Sequence, residues 1–368
     1  MVEPEQNPLE EFAPNAEWAA ALRAAPREWF VPDVAWTVED GLIDRHADPQ
    51  TWQAAVARDD AIVTQIDDGH TALTSESPWR TPSWTSSCSA PNMVFDFLRL
   101  LDPYSGDRVL EVGTGTGWTA ALLSAYLGAQ QVTSIEVDEQ VAAQAKKHLD
   151  GAGFAPRLLV GDGAIGDPDG APFDRVHATC SVRTIPYAWV EQTRPGGVIV
   201  APWIPHRSGG YKLRLTVTGA AAVGRLYGAA AFMPLRGHRI GFPAVGRDRE
   251  ELLCKVDPRR IARAGPGLDL ALTALLPGVV VQDVRGTGEA DRVSAWDPES
   301  GSWALAVHGN PHGGSVGPRD LWRELERAYL TWVGWGEPPA DRFGLTVDAV
   351  GQHVWLDSPD NQITEVAR

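Results

Sequence analysis

The stretch Val109-Leu110-Glu111-Val112-Gly113-Thr114-Gly115-Thr116-Gly117-Trp118 decides the fold of this chain. A short apolar segment with the composition of a buried strand runs directly into three alternating glycines, and a run of small and apolar residues typical of a helix follows. Glycine permits a tight turn and a close approach of the backbone to a ligand. The helix that follows directs its N-terminal N–H groups and its dipole at that ligand. The stretch therefore predicts a strand, a turn and a helix that together bind a small molecule.

The residues that follow this turn indicate the kind of small molecule. In a dinucleotide fingerprint the last glycine falls three residues after the second, but here that position is Trp118, which disfavours NAD. Glu136 ends the next predicted strand about twenty residues on, where a carboxylate can accept hydrogen bonds from ribose hydroxyls. Asp162 ends the strand after that, where a carboxylate can meet an adenine amino group. We expect a nucleoside ligand; the alternative is a glycine-rich turn without a ligand, with Asp162 as a simple turn residue.

Strands and helices alternate from Arg108 onward, which favours an α/β fold with a parallel sheet covered on both faces. We expect a helical N-terminal extension over 1–75, a Rossmann-like domain over 76–240 and a smaller mixed α+β domain over 241–368. Residues 75–91, rich in Ser, Thr and Pro, indicate an irregular segment. The predicted elements of the central domain are strands over 108–112, 131–136, 157–160, 174–178 and 197–201, and helices over 117–127, 138–149 and 186–193.

The composition restricts the partners and the compartment. The chain has 368 residues and a net charge of −16, which argues against a nucleic-acid partner because phosphate binding requires a basic face. Its three cysteines are far apart and odd in number, which suits a reducing cytoplasm. It shows neither a signal peptide nor an apolar run of membrane-spanning length, so we expect no membrane partner. His308 and His312 lie without a third ligand nearby, and we expect a solvated loop and no metal site.

Several stretches, taken in order, resemble the protein-L-isoaspartate O-methyltransferases, which use S-adenosyl-L-methionine. The resemblance covers roughly residues 20–240. The motifs that carry it are Arg27-Glu28-Trp29-Phe30-Val31-Pro32, Ser87-Cys88-Ser89-Ala90-Pro91-Asn92-Met93, the glycine stretch Val109–Trp118, Gly161-Asp162-Gly163, Ala171-Pro172-Phe173-Asp174-Arg175-Val176, Arg194-Pro195-Gly196-Gly197 and Phe232-Met233-Pro234-Leu235.

The resemblance implies roles for individual residues. Ser89 would hold the substrate carboxylate, with Ser87 as a second hydroxyl donor; the alternative for Ser89 is a helix N-cap. Arg183 is our candidate for the cation that attracts an acidic peptide, and the alternative is a surface arginine. The residues expected near S-adenosylmethionine are Glu111, Gly113, Gly115, Gly117, Glu136, Asp162 and Gly163.

Three departures from the family pattern suggest a dedicated substrate. Cys88 replaces an aliphatic residue and Asn92 replaces a histidine; we expect Cys88 to be a packed thiol and not a nucleophile. Residues 180–186 replace an Ala/Pro-rich loop. The chain after about residue 240 lies outside the usual repair enzyme, and this region is our candidate for substrate engagement.

This arrangement resembles the isoaspartyl-methyltransferase-like enzymes of ribosomal peptide biosynthesis, especially those paired with ATP-grasp ligases, whose products are graspetides. It implies that a cyclised precursor peptide is methylated on an aspartate and that the ester then closes to an aspartimide. The alternatives are repair of isoaspartyl-containing proteins and a non-catalytic binding module.

Overall fold

The computed structural model describes residues 7–80, 83–205, 210–241, 250–284 and 291–364. The chain divides into two compact units. The first unit consists of Met1–Cys180, Ala188–Ala201 and Phe232–Arg236, and the second consists of Ser181–Tyr187, Pro202–Ala231 and Gly237–Arg368. Two segments that precede residue 241 thus belong to the same unit as the C-terminal residues. The domain boundary predicted at residues 240/241 lies next to residues 242–249, which are outside the described residues.

The helices and strands are numbered in chain order. The helices are α1 Ala16–Ala24, α2 Pro49–Ala57, α3 Ser77–Arg80, α4 Pro91–Leu101, α5 Trp118–Leu127, α6 Glu139–Gly151, α7 Tyr187–Glu191, α8 Pro258–Ala262, α9 Pro266–Leu275 and α10 Leu321–Gly334. The strands are β1 Val34–Thr37, β2 Gly41–Asp44, β3 Ile62–Ile66, β4 Trp84–Cys88, β5 Val109–Val112, β6 Val132–Glu136, β7 Arg157–Val160, β8 Phe173–Ala178, β9 Thr193–Trp203, β10 Tyr211–Val217, β11 Ala222–Ala229, β12 Glu250–Leu253, β13 Val280–Val284, β14 Arg292–Trp296, β15 Trp303–Val307, β16 His312–Val316, β17 Phe343–Asp348 and β18 Gly351–Leu356.

The first unit contains the predicted parallel sheet, with its strands in the order β9-β8-β5-β6-β7. Every residue of β5 is buried, as expected for a central strand covered on both faces. The chain runs outward from β5 through β6 to β7 and then returns to β8 on the other side of β5. Ligands of such sheets bind beyond the carboxyl ends of the strands at this reversal. The Rossmann-like α/β class is confirmed.

The structure corrects the expectation of an irregular segment over residues 75–91. β4 pairs antiparallel with β3 in a second sheet of the first unit, ordered β2-β1-β3-β4. Within β4, Ser86 and Cys88 are buried and their neighbours are less so, which is the two-residue alternation of a strand with one covered face. Three strands of this sheet lie in the region 1–75, which also contains α1 and α2. The Ser, Thr and Pro content obscured the alternation.

The second unit contains antiparallel sheets and the remaining helices. One sheet segment has the order β18-β17-β11-β10, and a separate sheet has the order β12-β16-β15-β14-β13. His312 begins β16, so the loop predicted around it ends earlier than expected, and His308 Nδ1 lies 2.9 Å from Asp257 Oδ1. Within the described ranges no three His, Cys, Asp or Glu side chains are grouped to hold a metal ion. No described helix has the length and apolar character that a membrane crossing requires.

Candidate cofactor and substrate site

The glycine turn leaves β5 at the reversal of the sheet. Gly113, Gly115 and Gly117 all have left-handed backbones, with φ of 97°, 54° and 91°, a conformation that side-chain-bearing residues rarely adopt. A Cβ on Gly113 would lie 2.6 Å from Thr179 Oγ1, just beyond the end of β8. The turn therefore requires glycine at Gly113 for two reasons, the backbone angle and the space.

Glu111 lies beneath this turn and is fully buried. Its Oε2 accepts a hydrogen bond from Ser134 Oγ at 2.5 Å, and Ser134 Oγ lies 2.6 Å from Thr114 Oγ1. Burial raises the pKa of Glu111 to about 8, because a charged carboxylate is poorly solvated there. Glu111 thus holds a proton at neutral pH and supports the turn from inside the sheet.

Glu136 ends β6 beside the turn and is half-buried. Its Oε2 accepts from the Gly115 N–H at 2.9 Å, and its Oε1 accepts from the Asp138 N–H at 3.1 Å. Burial raises the pKa of Glu136, and these backbone hydrogen bonds act in the opposite direction. A carboxylate oxygen can accept more than one hydrogen bond, so Glu136 can hold the turn and still accept ribose hydroxyls.

Arg236 is a contributor to this region that the sequence reasoning missed. Its Nη2 lies 3.0 Å from Asp138 Oδ2 and 2.9 Å from Asp68 Oδ1. Asp138 also caps α6 through the N–H groups of Gln140 and Val141. Arg236 directly follows the Phe232–Leu235 motif, so this ion pair anchors that motif beside the end of β6.

Asp162 and Gly163 follow β7 and have different environments. Asp162 is exposed, and its Oδ1 accepts from the Ala164 N–H at 2.9 Å, so it also stabilises its own turn. Gly163 is buried, and a Cβ on it would lie 2.3 Å from Val112 Cγ1. Ile165, nearby in the same loop, is 60% exposed. Exposed apolar surface beside a carboxylate is suited to a purine ring with an amino group.

Residues 87–93, called the serine loop below, comprise the end of β4, the two residues after it and the start of α4, and they lie against the glycine turn. A Cβ on Gly115 would lie 3.4 Å from the carbonyl oxygen of Ser87. The N-cap of α4 is Ala90, and no side chain caps the helix there. The alternative role of Ser89 as an N-cap is therefore wrong. Ser89 directly follows β4 and is two residues from Ser87, whose carbonyl oxygen faces Gly115 of the turn.

Arg27 holds this loop in place. Its side chain is buried, at 2% exposure, and it lies over the Trp118 ring at 5.4 Å. Its guanidinium donates to five backbone carbonyls, those of Val56, Arg58, Asp60, Cys88 and Ser89. The sequence does not predict a role for Arg27. The structure shows that it joins the serine loop to Trp118, the first residue of α5.

Arg183 belongs to the second unit, whereas every other predicted site residue belongs to the first. Its carbonyl oxygen accepts from Trp203 Nε1 at 2.9 Å and from Gln352 Nε2 at 3.1 Å. The Arg183 N–H donates to His238 Nδ1 at 3.2 Å. The loop that carries Arg183 is thus fixed by hydrogen bonds within its own unit.

Of the two cysteines near these loops, Cys88 is buried and Cys180 is half-buried. Cys88 has 1% exposure, which agrees with a packed thiol. Burial raises the pKa of Cys180 to about 12, so this thiol stays protonated at neutral pH and is a poor nucleophile.

Comparison with known proteins identifies relatives of the first unit. The family model of protein-L-isoaspartate(D-aspartate) O-methyltransferase matches residues 70–238. A protein-L-isoaspartate O-methyltransferase of Methanosarcina mazei is 35% identical over 155 residues, which are 40% of this chain and 62% of that protein. One of Thermococcus onnurineus is 37% identical over 153 residues, which are 40% of this chain and 69% of that protein. The chain thus spans less than two thirds of the first of these relatives and slightly more than two thirds of the second.

A solved structure of a protein-L-isoaspartate O-methyltransferase is similar in fold over a longer range. It covers 95% of this chain and 98% of its own length, with a TM-score of 0.55 and 19% identity. The fold match thus extends past residue 240. One solved structure with this name thus has a similar fold in this region, although the family model ends at residue 238, so the presence of the region alone does not indicate a dedicated substrate.

Proposed function

Because this chain belongs to the protein-L-isoaspartate(D-aspartate) O-methyltransferase family, we propose that it methylates an aspartate carboxylate in a ribosomally made, cyclised precursor peptide. The enzyme class, an S-adenosylmethionine-dependent carboxyl O-methyltransferase, follows from the family. The acceptor is the proposal. It rests above all on the serine loop, which lies against the glycine turn and carries Cys88 and Asn92 where the family has other residues.

The residues of the first unit fit S-adenosylmethionine. The three glycines provide a backbone cradle that a side chain would fill, and Gly163 continues it. Glu136 would accept the ribose hydroxyls, and Asp162 would face the adenine. When bound, S-adenosylmethionine supplies an electrophilic methyl group on a positively charged sulfur.

The protein needs no general base for this reaction. An aspartate carboxyl has an ordinary pKa near 4 and is ionised at neutral pH. The chain must instead orient the carboxylate and remove water from it. Correct orientation of the reacting groups lowers the activation barrier by several kcal/mol. Ser87 and Ser89 suit this task, because neutral hydroxyl donors hold a carboxylate less tightly than a cation would. Arg27 positions them through the carbonyls of the loop.

The methyl ester then closes without further help from the protein. The backbone nitrogen of the next residue attacks the ester carbonyl and gives up its proton, and the methoxy group leaves as methanol. The product is a five-membered aspartimide. Ester formation makes this closure possible because methoxide is a better leaving group than the oxide of a free carboxylate.

Repair of isoaspartyl-containing proteins is the second candidate function. The names of the relatives and the structural match over 95% of this chain favour it. A general repair enzyme must accept unrelated proteins, whereas a biosynthetic enzyme recognises one precursor.

Mass spectrometry on two substrates tests the proposal. The substrates are a short isoaspartyl peptide and a ribosomally made precursor peptide that an ATP-grasp ligase has cyclised. We expect the precursor to gain one methylene and then to lose methanol, and the short peptide to stay unmodified. Methylation of the short peptide alone would support repair instead. Binding of S-adenosylmethionine without turnover of either substrate would support the non-catalytic module.

A Ser89→Ala variant assigns the role of the serine loop. We expect turnover to fall about tenfold or more, because one carboxylate donor is lost, while the affinity for S-adenosylhomocysteine is unchanged. A Ser83→Ala variant is the matched control, since Ser83 precedes the same strand but lies outside the loop. Equal turnover of the Ser89 variant and the wild type would remove Ser89 from the mechanism.

A further inference from the structure

We infer that His177 is a positioning residue for the cofactor turn, because it accepts the last hydrogen bond of a buried chain that runs from Thr114 through Ser134 and Glu111. The inference does not depend on the acceptor proposed above, since it concerns only the first unit and the glycine turn. It is carried by the alignment of three strands, by two buried polar atoms and by the direction of the hydrogen bonds between them.

Three neighbouring strands place polar side chains side by side across the parallel sheet. Ser134 of β6 and His177 of β8 are the register partners of Glu111 on either side of β5; these three residues are called the polar row below. Side chains of register partners project from the same face of a sheet, and adjacent strands lie about 4.8 Å apart. The hydrogen bond from Ser134 to Glu111 confirms the shared face on one side. We expect His177 to lie at a similar separation on the other side.

Two buried polar atoms face the space between β5 and β8. Glu111 is fully buried and His177 is 2% exposed. Among the residues that the structure describes, neither Glu111 Oε1 nor His177 Nδ1 has a hydrogen-bond partner. Native proteins rarely leave a buried polar atom unpaired. Two such atoms on adjacent side chains therefore indicate a contact between them, either direct or through one water molecule.

The hydrogen bonds of the polar row run in one direction. Ser134 Oγ donates to Glu111 Oε2, and Thr114 Oγ1 can then donate to Ser134 Oγ, which is 2.6 Å away. Because Oε2 already serves as an acceptor, the proton of a neutral Glu111 carboxyl is on Oε1 and requires an acceptor of its own. Within the row, His177 Nδ1 is the atom that can provide it.

Both groups are neutral at pH 7, as this arrangement requires. Burial raises the pKa of Glu111 to about 8 and lowers the pKa of His177 to about 4. A neutral imidazole has one acceptor nitrogen, which is Nδ1 when the proton is on Nε2. Hydrogen bonds in a chain polarise and strengthen one another. Loss of the last acceptor should therefore weaken the support that the row gives to the turn at Thr114.

Packing alone does not account for a histidine at this position. The ring of His177 lies against Phe97 of α4, with ring centroids 6.0 Å apart. An apolar side chain of similar size would fill this space without burying a nitrogen, which is costly when unpaired. The hydrogen-bond chain explains why a nitrogen is present.

The test compares two replacements of His177 in the full chain. His177→Leu removes the acceptor, whereas His177→Asn keeps one, because its carbonyl oxygen is bonded to the same side-chain atom as Nδ1. We expect the affinity for S-adenosylhomocysteine, measured by calorimetry, to fall about tenfold in the Leu variant and less than about threefold in the Asn variant. An unchanged affinity in His177→Leu would overturn the inference.

Val176→Ala separates this role from general destabilisation of β8. Val176 is fully buried and precedes His177 in the strand, so its side chain projects from the opposite face. The lost methyl groups leave a cavity, and we expect the midpoint of urea denaturation to fall while the cofactor affinity is retained. A loss of affinity equal to that of His177→Leu would show that any damage to β8 weakens the turn, and the inference would be wrong.

A second set of variants tests the contact with Glu111 directly. Glu111→Gln keeps an N–H donor for His177, whereas Glu111→Leu has none. We expect His177→Leu to lower the equilibrium constant of folding about tenfold in the wild type and in the Glu111→Gln background, and to have a clearly smaller effect in the Glu111→Leu background. Equal effects in all three backgrounds would overturn the inference.

Nitrogen NMR of the His177 ring provides a measurement that does not depend on the Glu111→Leu variant folding. We expect Nδ1 of the wild type to resonate as a hydrogen-bonded, unprotonated nitrogen and Nε2 as a protonated one. A free Nδ1, or a proton on Nδ1, would overturn the inference.

Discussion

The two units bring functional residues together in different ways. In the first unit the candidate cofactor residues occur in short stretches at the carboxyl ends of β5, β6 and β7, so each stretch carries its own signal. In the second unit a pocket of about 600 Å³ is lined by residues 183, 238–239, 352–353 and 362, which lie far apart in the sequence.

The two units therefore place different constraints on the residues at their candidate sites. Backbone geometry restricts the first unit: Gly113 has a left-handed φ of 97° and no room for a Cβ. The pocket of the second unit depends instead on contacts between distant segments, such as the hydrogen bond from Gln352 Nε2 to the Arg183 carbonyl oxygen. We therefore expect single substitutions at the turn of the first unit to have large effects on stability and cofactor affinity.

The largest effect is expected for Arg27→Met. This change leaves five buried or part-buried carbonyls without their donor, and each buried unpaired group costs about 1–3 kcal/mol. We expect the free energy of unfolding to fall by at least about 3 kcal/mol, as measured by urea denaturation.

The matched control is Arg23→Met. Arg23 pairs with Glu10 on the surface, where its side chain is 55% exposed, so its loss should cost less than about 1 kcal/mol. Similar losses for the two variants would show that Arg27 is no more important to the first unit than a surface arginine.

The next largest effect is expected for Gly113→Ala. The new Cβ would lie 2.6 Å from Thr179 Oγ1, on a backbone with a left-handed φ, so the turn must move. We expect the affinity for S-adenosylhomocysteine, measured by calorimetry, to fall more than tenfold.

Gly106→Ala separates backbone strain from the cradle. Gly106 also has a left-handed φ, of 90°, but no atom lies within 4 Å of a Cβ placed there. We expect this variant to lose about 1 kcal/mol of stability and to retain the cofactor affinity. A parallel loss of affinity would mean that strain alone explains the effect at Gly113.

Much of the first unit could be predicted from the sequence. Residues other than glycine rarely adopt the positive φ of this turn, so the sequence there predicts its backbone. The strands β5 to β9 follow from apolar runs with helices or loops between them. The predicted β7 over 157–160 matches the structure, and the other strands of this sheet differ from prediction mainly at their ends. These elements were predictable because their signals are local.

Other features depend on the tertiary environment and could not be predicted. The role of Arg27 requires five carbonyls from two distant segments, 56–60 and 88–89, to meet around one side chain. Glu111 was expected near the cofactor, and only its complete burial shows that it lies beneath the turn. The pocket of the second unit has no local signal, because no two of the chain segments that line it are adjacent in the sequence.

A smaller effect, specific to one unit, is expected for Glu136→Gln. Gln keeps one acceptor oxygen but replaces the other with an amino donor, which cannot accept a ribose hydroxyl. We expect the affinity for S-adenosylhomocysteine, measured by calorimetry, to fall about tenfold. An unchanged affinity would show that Glu136 does not bind the ribose.

Glu139→Gln is the control for this variant. Glu139 is exposed in the first turn of α6, and its replacement makes the same charge change near the same strand. We expect it to change the cofactor affinity by no more than about twofold, since exposed charges contribute little.

The smallest effect concerns the acid beneath the turn, and its sign follows from its pKa. Folded Glu111 keeps its proton up to a pH of about 8, whereas the ordinary pKa of the group is 4.5. Its contribution to stability is therefore fully present below pH 4.5 and is lost as the pH rises through 8. Glu111→Gln is neutral at every pH and lacks this loss. We expect the variant to gain at least about 1 kcal/mol on the wild type between pH 5 and pH 8, as measured by urea denaturation at each pH. A constant difference across this range would show that the pKa of Glu111 is not raised by folding and that the buried carboxyl beneath the turn is ionised.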